Sequence, residues 1–538
     1  MVPPAQPAAD AGPGHHSPTG RNLADLVTAA AQRDPSHPAL VDLTSGRTVS
    51  WGALDAAVDA AAGWLRASGM ADGRRVVVRL ATSPEFCVAV FAVLRAGGVV
   101  VPVGTGASER ELEAVVEHSG AGGLVAGQDD RIARDVAARH GVSAMAPPSP
   151  FATPDAGPIL AAAGGEDLAV LAYTSGTSGW PRGVMLPHRA LLANLEQGAA
   201  VRPAPMTAAD RVLLALPLFH TYGLGPGLLR VAHAAATAVL ADRFDAEPVL
   251  AAVRSQRVTI VIGVPPMYRA WLRLAPERLA EDLATVRLFT SGAAPLEPGS
   301  LSRMRAATGL DVFEGYGLTE TGPVLTSTLV GGSAKPGSVG RPLPGSPAAG
   351  VGPVEIRLVD SDGKPLPMGG DEDFGDDYID EDAADTGEVV VRGPNLFSGY
   401  WPDGVHGPAE LAGLGPGWIR TGDIGFIDQD GDLHLVDRAN DLIIVNGFNV
   451  YPHEVEEVLR EHPAVAEAAA VGVPDERSGE AVRAVVVPLD GQQPDTAELV
   501  GHCAVRLARF KVPVQVELTD QLPYSANGKL VRRRLRGD

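Results

Sequence analysis

The sequence predicts an α/β fold with a large, multi-layered N-terminal domain and a small α+β C-terminal domain. Its 538 residues are too many for one hydrophobic core of ordinary size. From Asn22 onward, helical patterns such as Leu54 to Leu65 alternate with short β-rich runs such as Arg75 to Leu80 and Val99 to Val103. This alternation is typical of helices layered on sheets.

Composition and charge narrow the class of protein. Apolar residues make up 45% and charged residues 20% of the chain, as in ordinary globular proteins. The formal net charge of -21 disfavours binding to nucleic acid or to an anionic membrane. The two cysteines, Cys87 and Cys503, suggest neither a disulfide framework nor a thiolate metal site, and we expect both to be core thiols.

The N-terminal region has the composition of a disordered tail. Residues 1–20 are rich in Ala, Pro and Gly and have no periodic apolar face. No charged region followed by an apolar run begins the chain, and Arg95 interrupts the apolar stretch from Val88 to Val103. We therefore expect a cytoplasmic protein without an integral membrane segment.

The strongest local signal is a buried-strand pattern, Leu168 to Tyr173, that runs into a loop rich in hydroxyls and glycines. Four hydroxyls, three glycines and one cation, Arg182, lie within the ten residues from Thr174 to Gly183. Glycines let backbone N–H groups approach an oligophosphate, hydroxyls donate hydrogen bonds, and arginine neutralises charge. We predict phosphate binding, although composition alone fits an ordinary Gly/Ser loop equally well. The GxxxxGK[ST] order is absent, which excludes a P-loop NTPase.

Two later segments help to divide the chain. An acidic stretch holds nine Asp or Glu residues between Asp371 and Asp385, but its spacing does not match an EF-hand, and we expect a solvated loop. The polar stretch Asp437 to Asp441 precedes a new series of strands and helices. We therefore assign residues 21–437 to the N-terminal domain and 438–538 to the C-terminal domain. There, Pro452 begins an amphipathic helix and Val482 to Val487 is a β-rich run.

Several further motifs follow the loop in one order along the chain. They are Leu216 to Gly223, Gly263 to Tyr268, Ser291 to Leu296, Tyr316 to Thr321, Gly387 to Gly393, Arg420 to Asp423, Asp437-Arg438, Asn449 to Pro452 and Asn527 to Lys529. With the loop Tyr173 to Val184, they make nearly the whole chain resemble the adenylate-forming superfamily, which includes acyl-CoA synthetases, aryl-CoA ligases, adenylation domains and beetle luciferases.

The resemblance implies an AMP-forming acid–thiol ligase of the acyl-CoA synthetase type, with ATP, Mg²⁺ and CoA as cofactors. Such an enzyme converts a carboxylic acid into an acyl-adenylate with release of pyrophosphate. It then transfers the acyl group to the CoA thiol, giving acyl-CoA and AMP. Because two anions must meet, the site has to supply cations where charge develops on the α-phosphate.

By the same resemblance, individual residues take catalytic roles. Glu320 would hold Mg²⁺, Thr319 would contact the α-phosphate, and Lys529 would bridge the α-phosphate and the substrate carboxylate. Arg438 would add positive charge, and His220 would stand beside the acyl carboxylate as a gate or a polariser, with a core histidine as the alternative.

The nucleotide would be bound by residues spread over several motifs. Asp423 would accept hydrogen bonds from both ribose hydroxyls, and Leu435 would cover the nucleoside. The full predicted set is Thr174, Ser175, Gly176, Thr177, Ser178, Gly179, Arg182, Gly292, Ala293, Ala294, Gly315, Tyr316, Gly317, Thr319, Asp423, Leu435, Arg438 and Lys529.

Two residues would serve the second half-reaction. Asn440 would be the pivot of a hinge about which the C-terminal domain turns, and Gly447 would line the pantetheine tunnel.

Three residues depart from the family pattern. They are Arg182 in place of a lysine, Ser178 in place of a threonine, and Asn440 where many relatives have Asp or Lys. Charge and hydroxyl survive in the first two, although arginine and lysine are not interchangeable.

The predicted acyl pocket indicates the kind of acid. Its residues are Phe219, His220, Tyr222, Gly223, Gly292 and Ala293. Leu216 to Leu224 contains no acidic residue to pair with a substrate ammonium, which argues against an α-amino acid. An apolar acyl chain, foremost a fatty acid, fits these walls, but an aryl acid stays open, as does an acyl carrier protein in place of CoA. A non-catalytic protein with the same fold is disfavoured because Lys529, Glu320 and Asp423 are all present.

Overall fold

The computed structural model describes residues 21–150, 158–161, 163–175, 181–360, 362–367, 386–438, 441, 443–445, 448–450, 452–475, 479–507, 511–524 and 530–536. They form two compact units. Unit 1 is drawn from residues 1–195, 206–243 and 395–407, and unit 2 from residues 196–205, 244–394 and 408–538. Helices and strands alternate through both, which confirms the predicted α/β class.

Up to residue 243, the described residues form seven α-helices, one π-helix and ten strands. The helices are α1 (Asp25–Arg33), α2 (Trp51–Ala67), α3 (Pro84–Ala96), α4 (Glu109–Ser119), α5 (Arg131–His140), α6 (His188–Ala200) and α7 (Arg230–Ala234), with a π-helix at Gly223–Leu229. The strands are β1 (Pro38–Asp42), β2 (Thr48–Ser50), β3 (Arg75–Arg79), β4 (Val99–Pro102), β5 (Gly123–Ala126), β6 (Ser143–Met145), β7 (Leu168–Ser175), β8 (Pro181–Pro187), β9 (Arg211–Leu214) and β10 (Thr237–Leu240).

Unit 1 contains a sheet in the order β6-β5-β3-β4-β7-β8. Its neighbours are parallel except β7 and β8, which form an antiparallel pair. A second set of paired strands runs β9-β10-β1-β2. The helix predicted at Leu54 to Leu65 lies within α2, and the two predicted β-rich runs are β3 and β4.

Local sequence signals explain where the central helix α3 begins and ends. The Ser83 side chain accepts a hydrogen bond from the Phe86 N–H at the N-terminus, with Pro84 in the first turn. Gly97, at φ 84°, ends the helix in the left-handed conformation that glycine adopts without strain. Because α3 is buried on all sides, its apolar composition reflects the core of unit 1.

Arg95, which interrupts the apolar run in the sequence, is the centre of a buried polar network. Its side chain is 3% exposed and lies 2.6 Å from Asp55 and 2.9 Å from Asp59. It also donates to Thr28 Oγ1 at 2.8 Å and to the Ala24 carbonyl at 3.3 Å. The guanidinium therefore joins α1, α2 and α3 through paired charges.

The elements after residue 243 comprise eight helices and fifteen strands among the described residues. The helices are α8 (Ala246–Ser255), α9 (Pro265–Trp271), α10 (Pro276–Asp282), α11 (Pro298–Thr308), α12 (Thr328–Gly331), α13 (Pro452–Arg460), α14 (Thr496–Ala504) and α15 (Arg533–Arg536). The strands are β11 (Ile260–Gly263), β12 (Leu288–Ser291), β13 (Val312–Tyr316), β14 (Thr326–Ser327), β15 (Arg341–Pro342), β16 (Glu355–Val359), β17 (Gly387–Arg392), β18 (Ala409–Leu411), β19 (Gly415–Ile427), β20 (Leu433–Arg438), β21 (Ile443–Val445), β22 (Phe448–Val450), β23 (Val465–Asp475), β24 (Gly479–Pro488) and β25 (Gln515–Leu518).

Unit 2 holds three groups of paired strands. Strands β11, β12 and β13 are parallel neighbours, with β14 and β15 added in antiparallel fashion. Strands β16 to β20 form an antiparallel sheet. Strands β21 to β25 form the sheet of the C-terminal part.

The C-terminal part has a hydrophobic core of its own. The helix predicted to begin at Pro452 is α13, and its Val455 and Leu459 are fully buried against the sheet. The run predicted at Val482 to Val487 lies within β24. A large N-terminal domain and a small C-terminal domain therefore share the chain, although a boundary at Asp437 stays a prediction.

Both cysteines are core residues, as predicted. Cys87 lies in α3 and Cys503 in α14, and each is fully buried. Burial raises the pKa of the Cys503 thiol to about 11, so the unreactive thiol form prevails at neutral pH. Within the described ranges, no helix combines the length and the apolar composition that a bilayer crossing requires.

We expect Arg95→Ala to lower the free energy of unfolding by about 3–5 kcal/mol, because it leaves the Asp55 and Asp59 carboxylates largely buried without their cation. Urea unfolding measures the change. The control is Arg139→Ala, since Arg139 is 47% exposed and pairs with Glu113 at 3.0 Å on the surface, where little or no change in the free energy of unfolding is expected. Equal losses from the two substitutions would contradict the assigned role of Arg95.

Candidate active site

The predicted phosphate loop connects the antiparallel strands β7 and β8. Thr174 pairs with Arg182 and Ser175 with Pro181, so the two flanks of the loop are held side by side. Gly176, Thr177, Ser178 and Gly179 lie outside the described residues. Thr174 is half-buried, while the Arg182 side chain is exposed and its Cζ stands 5.5 Å from the centroid of the Tyr400 ring.

A distant segment of unit 1 pairs with β8 beside this loop. The Ser398 N–H donates to the Met185 carbonyl at 2.9 Å, and the Trp401 N–H donates to the Gly183 carbonyl at 2.8 Å. Sequence analysis missed this segment because it lies about two hundred residues from the loop. The only local signal is the aromatic pair Tyr400-Trp401 after Gly399.

The acyl motif of unit 1 forms a tight turn that leads into the π-helix. A side chain at Gly223 would place its Cβ 2.4 Å from the Pro217 carbonyl oxygen, so only glycine fits there. The Phe219 ring packs against Gly104, where a Cβ would lie 2.8 Å from the ring. π-Helical turns are rare in proteins, and those that occur are often found at functional sites.

The hydrogen bonding of His220 indicates its tautomer. The Tyr222 N–H donates to His220 Nδ1 at 3.2 Å, so Nδ1 acts as an acceptor. In the neutral ring, Nε2 then carries the proton. A half-buried imidazole with an Nε2–H donor has the chemistry that a polariser of a carboxylate needs.

Unit 2 brings together several of the predicted nucleotide residues. The Tyr316 hydroxyl, at the end of β13, donates to Asp423 Oδ2 at 2.5 Å. Asp423 is 6% exposed and stands in β19 opposite Arg438 of β20, with Leu435 three residues earlier on the same strand. For Arg438 the structure describes the backbone only.

The turn after β13 carries Thr319 and Glu320. These residues form a short 3₁₀ helix, Thr319–Thr321, in which both side chains are half-buried. A side chain at Gly317 would place its Cβ 1.7 Å from the Pro323 carbonyl oxygen. This close approach fixes the entry to the turn and accounts for the glycine of the motif.

A buried carboxylate that sequence analysis missed clamps the loop after β12. Glu314, on β13, is 6% exposed, and its Oε1 accepts the Leu296 N–H at 2.9 Å. Between Gly292 and Leu296 the chain passes through Ala293 at φ 69°, a left-handed conformation that costs a non-glycine residue free energy. The Glu314 hydrogen bond therefore helps to hold a strained turn within the predicted nucleotide and acyl sites.

The environment of Glu314 also affects its ionisation. Burial raises its pKa to about 7, against the lowering effect of the Leu296 hydrogen bond. In the sequence it is an ordinary acidic residue in a β-rich run, so nothing local marks it. Beside it in register stands Ser291, whose buried hydroxyl has no hydrogen-bond partner among the described residues.

An acidic cluster near Asp423 is occupied by a lysine of the chain itself. Carboxylate oxygens of Asp428, Asp430 and Asp432 lie within 4.8 Å of one another, and Lys335 Nζ lies 2.6 Å from Asp428 and 2.7 Å from Asp430. Although desolvation opposes it, hydrogen bonds from Lys335 and His434 hold the pKa of Asp428 well below its usual range. The cluster therefore ties the segment before β15 to the β19–β20 turn.

The other predicted residues stay predictions. Lys529, Asn440 and Gly447 lie outside the described residues, as does the acidic stretch from Asp371 to Asp385. The predicted acyl pocket combines residues of both units, with Phe219 to Gly223 in unit 1 and Gly292 and Ala293 in unit 2. Each group is formed within its own unit.

Comparison with known families gives two matches. The family described as AMP-binding enzyme matches residues 27–401. Its partner, AMP-binding enzyme C-terminal domain, matches residues 454–529. Together the two matches cover most of the chain.

Characterised relatives include two kinds of CoA ligase. A feruloyl-CoA synthase of Amycolatopsis is 36% identical over 91% of this chain and 94% of its own length. A long-chain-fatty-acid–CoA ligase of Escherichia coli is 32% identical over 96% of this chain and 94% of its own length.

Solved structures with the same fold include two that hold ATP. ATP-bound MatB from Rhodopseudomonas palustris is 32% identical, with a TM-score of 0.84, 96% of this chain covered and 99% of that chain. O-Succinylbenzoate CoA synthetase (MenE) from Bacillus subtilis, in complex with ATP and magnesium ion, is 29% identical, with a TM-score of 0.80, 97% of this chain covered and 100% of that chain.

We expect Glu314→Gln to stabilise the protein at pH 8 and to change its stability little at pH 5. The folded-state pKa of about 7 exceeds the unfolded value. The free energy of unfolding of the native protein therefore falls as pH rises between the two pKa values. Glutamine keeps the acceptor for the Leu296 N–H without the charge, and the gain at pH 8 is up to about 3 kcal/mol. Urea unfolding at both pH values measures it.

The matched control for this prediction is Glu277→Gln, because Glu277 is exposed on α10. Its effect should be small at both pH values. A Glu314→Gln effect that is the same at pH 5 and pH 8 would contradict the assigned burial of the charge.

Proposed function

Because the chain belongs to the AMP-binding enzyme family, we propose that the residues around Asp423 form its ATP site. The protein is an AMP-forming acid–thiol ligase that uses ATP, Mg²⁺ and CoA to convert a carboxylic acid into its acyl-CoA through an acyl-adenylate.

The observation that carries the ATP site is the assembly of Tyr316, Asp423 and Leu435 within unit 2. The Tyr316 hydroxyl donates to one oxygen of the Asp423 carboxylate at 2.5 Å, which fixes the orientation of that group. A carboxylate offers two acceptor oxygens, which suits a vicinal diol such as the 2′- and 3′-hydroxyls of ribose. Leu435, half-buried on β20, supplies apolar surface for the nucleoside.

Glu320 fits the requirements of an Mg²⁺ ligand. It is a half-buried carboxylate on a short 3₁₀ turn, next to Thr319, whose hydroxyl suits a phosphate oxygen. Mg²⁺ is usually held by one or two carboxylates together with substrate phosphates and water. Glu320 would hold the ion, which would neutralise charge on the phosphates, and Thr319 would orient them.

We assign the cationic roles of the first half-reaction to Lys529, Arg438 and Arg182 on sequence grounds. A lysine offers a compact, rotatable point charge that orients two anions, the α-phosphate and the substrate carboxylate. Asn440 as hinge and Gly447 as tunnel residue belong to the second half-reaction, in which the C-terminal domain, residues 438–538, turns to admit the thiol.

An apolar acid is the substrate class that the motif of Phe219 to Gly223 supports best. The motif presents aromatic and apolar side chains with no carboxylate to pair with an ammonium, and His220 offers a donor for the acid's own carboxylate. We propose a fatty acid as the substrate. An aryl acid is the second candidate, because the feruloyl-CoA synthase is among the relatives.

CoA has one alternative as the acceptor of the acyl group. An acyl carrier protein presents the same phosphopantetheine arm, and we keep it as the second candidate. We also propose a cytoplasmic location, which accords with the use of ATP and CoA.

The test of the function is acid-dependent ATP–pyrophosphate exchange over a panel of fatty and aryl acids, followed by thioester formation with CoA or carrier protein. We expect exchange with apolar acids and thioester formation with CoA. Exchange with no acid on the panel would refute the proposal, and exchange with aryl acids alone would select the second candidate.

We expect Asp423→Ala to raise the KM for ATP by about 10- to 100-fold, since hydrogen bonds to a charged group contribute about 1.5–3 kcal/mol. The matched variant is Tyr316→Phe, which leaves the carboxylate in place and removes its orienting hydrogen bond. About a fivefold rise is expected for it. Initial rates of exchange against ATP concentration measure both, and an unchanged KM in Asp423→Ala would remove this residue from the ATP site.

We expect Lys529→Ala to slow adenylate formation by about 100- to 1000-fold, as for other groups that stabilise developing charge. Transfer of the acyl group from preformed acyl-adenylate to CoA should be largely spared, because Lys529 acts only in the first half-reaction. Single-turnover measurements of each half-reaction test this expectation. Equal loss in both would reject the two-conformation mechanism.

A further inference from the structure

Among the described residues, the Arg182 guanidinium contacts an aromatic ring and not a carboxylate. Its guanidinium Cζ stands 5.5 Å from the centroid of the Tyr400 ring, within the range of a cation–π interaction. Within the described parts of the chain, Arg182 forms no ion pair, although the protein carries a net charge of -21. Among these residues, the partner of the guanidinium is the ring and not an acid.

The Tyr400 ring stands on a firmly held backbone. The residues on either side of it pair with β8, since the Met185 N–H donates to the Gly399 carbonyl at 3.1 Å and the Trp401 N–H to the Gly183 carbonyl at 2.8 Å. Tyr400 itself donates to the Val405 carbonyl at 3.0 Å and accepts from the Gly404 N–H at 2.8 Å. Phe397 packs edge-on against the ring at 5.1 Å.

Arg182 is also the position at which the phosphate loop departs from the lysine usual in its family. A guanidinium is planar and stacks on aromatic faces, whereas an ammonium on a flexible stem does so less well. A cation held by a ring keeps its full charge for an incoming anion, which an ion pair would partly cancel. Stacking also restricts the side chain before the anion arrives.

We propose that Tyr400 is a positioning residue for ATP, which it serves by holding the Arg182 guanidinium at the edge of the phosphate loop. The inference rests on the proposed function, because it takes the loop after β7 as the phosphate site. It adds a ring, supplied by a segment two hundred residues away, as the platform for the loop's cation.

The test is a double-mutant cycle read out as the Kd for ATP, measured by calorimetry without an acid substrate. We expect Tyr400→Leu to raise this Kd about two- to fivefold and Tyr400→Phe, which keeps the ring, to leave it near the native value. In the Arg182→Lys background, Tyr400→Leu should add little, because the planar partner of the ring is already gone.

Three results would overturn the inference. The first is a Tyr400→Leu variant that changes the Kd for ATP by the same factor with Arg and with Lys at position 182. The second is a lower Kd in Tyr400→Leu than in the native protein. The third is a Tyr400→Phe variant that binds ATP as weakly as Tyr400→Leu. If Tyr400→Leu does not fold, Tyr400→Met replaces it in both backgrounds, since it also removes the ring and keeps an apolar side chain.

A neighbouring pair gives the control. Arg75 Cζ stands 5.0 Å from the Trp401 ring, so Arg75→Lys removes a similar stacking contact at the next residue of the same segment. We expect no change in the Kd for ATP from it. Failure of every acid in the exchange assay would reject the proposed function, while the Kd cycle would still decide the role of Tyr400.

Discussion

Three parallel strands in register determine where the motifs of unit 2 meet. Gly263 and Ser291, the last residues of β11 and β12, are in register with each other and with Glu314, two residues before the end of β13. The chain leaves each strand at the same edge, and ligands of α/β proteins bind at such edges. The turns that follow, with Ala293 after β12 and Gly317 after β13, are therefore brought side by side by strand register.

That register makes the neighbouring contacts consistent with one another. Glu314 reaches the Leu296 N–H because β12 and β13 are adjacent, and the same placement of β13 sets the Tyr316 hydroxyl against Asp423. A strained turn at Ala293 persists because contacts around it are made at several points. Backbone pairing and side-chain hydrogen bonds thus define one arrangement of the site residues.

The sequence predicts much of this, because some signals are local. Helix α2, strands β3 and β4, and the start of α13 follow from periodicity and from Pro and capping residues. Contacts made through tertiary structure have no such signal, so Tyr400 beside Arg182 and Lys335 among the aspartates were not predicted. The π-helix was missed too, since Pro226 within it is ordinarily a sign of a break. Arg95 shows a related limit, because a charge within an apolar run gives no indication of the acids that pair with it.

The lysine at the aspartate turn has a consequence for the charge balance of that turn. Lys335 is a permanent, covalently attached counter-ion for Asp428 and Asp430, so it is present at a high effective concentration in every folded molecule. The third carboxylate, Asp432, lies 3.1 Å from Arg341. Each aspartate of this cluster, in the hairpin that carries Asp423, therefore has a counter-charge supplied by the polypeptide itself.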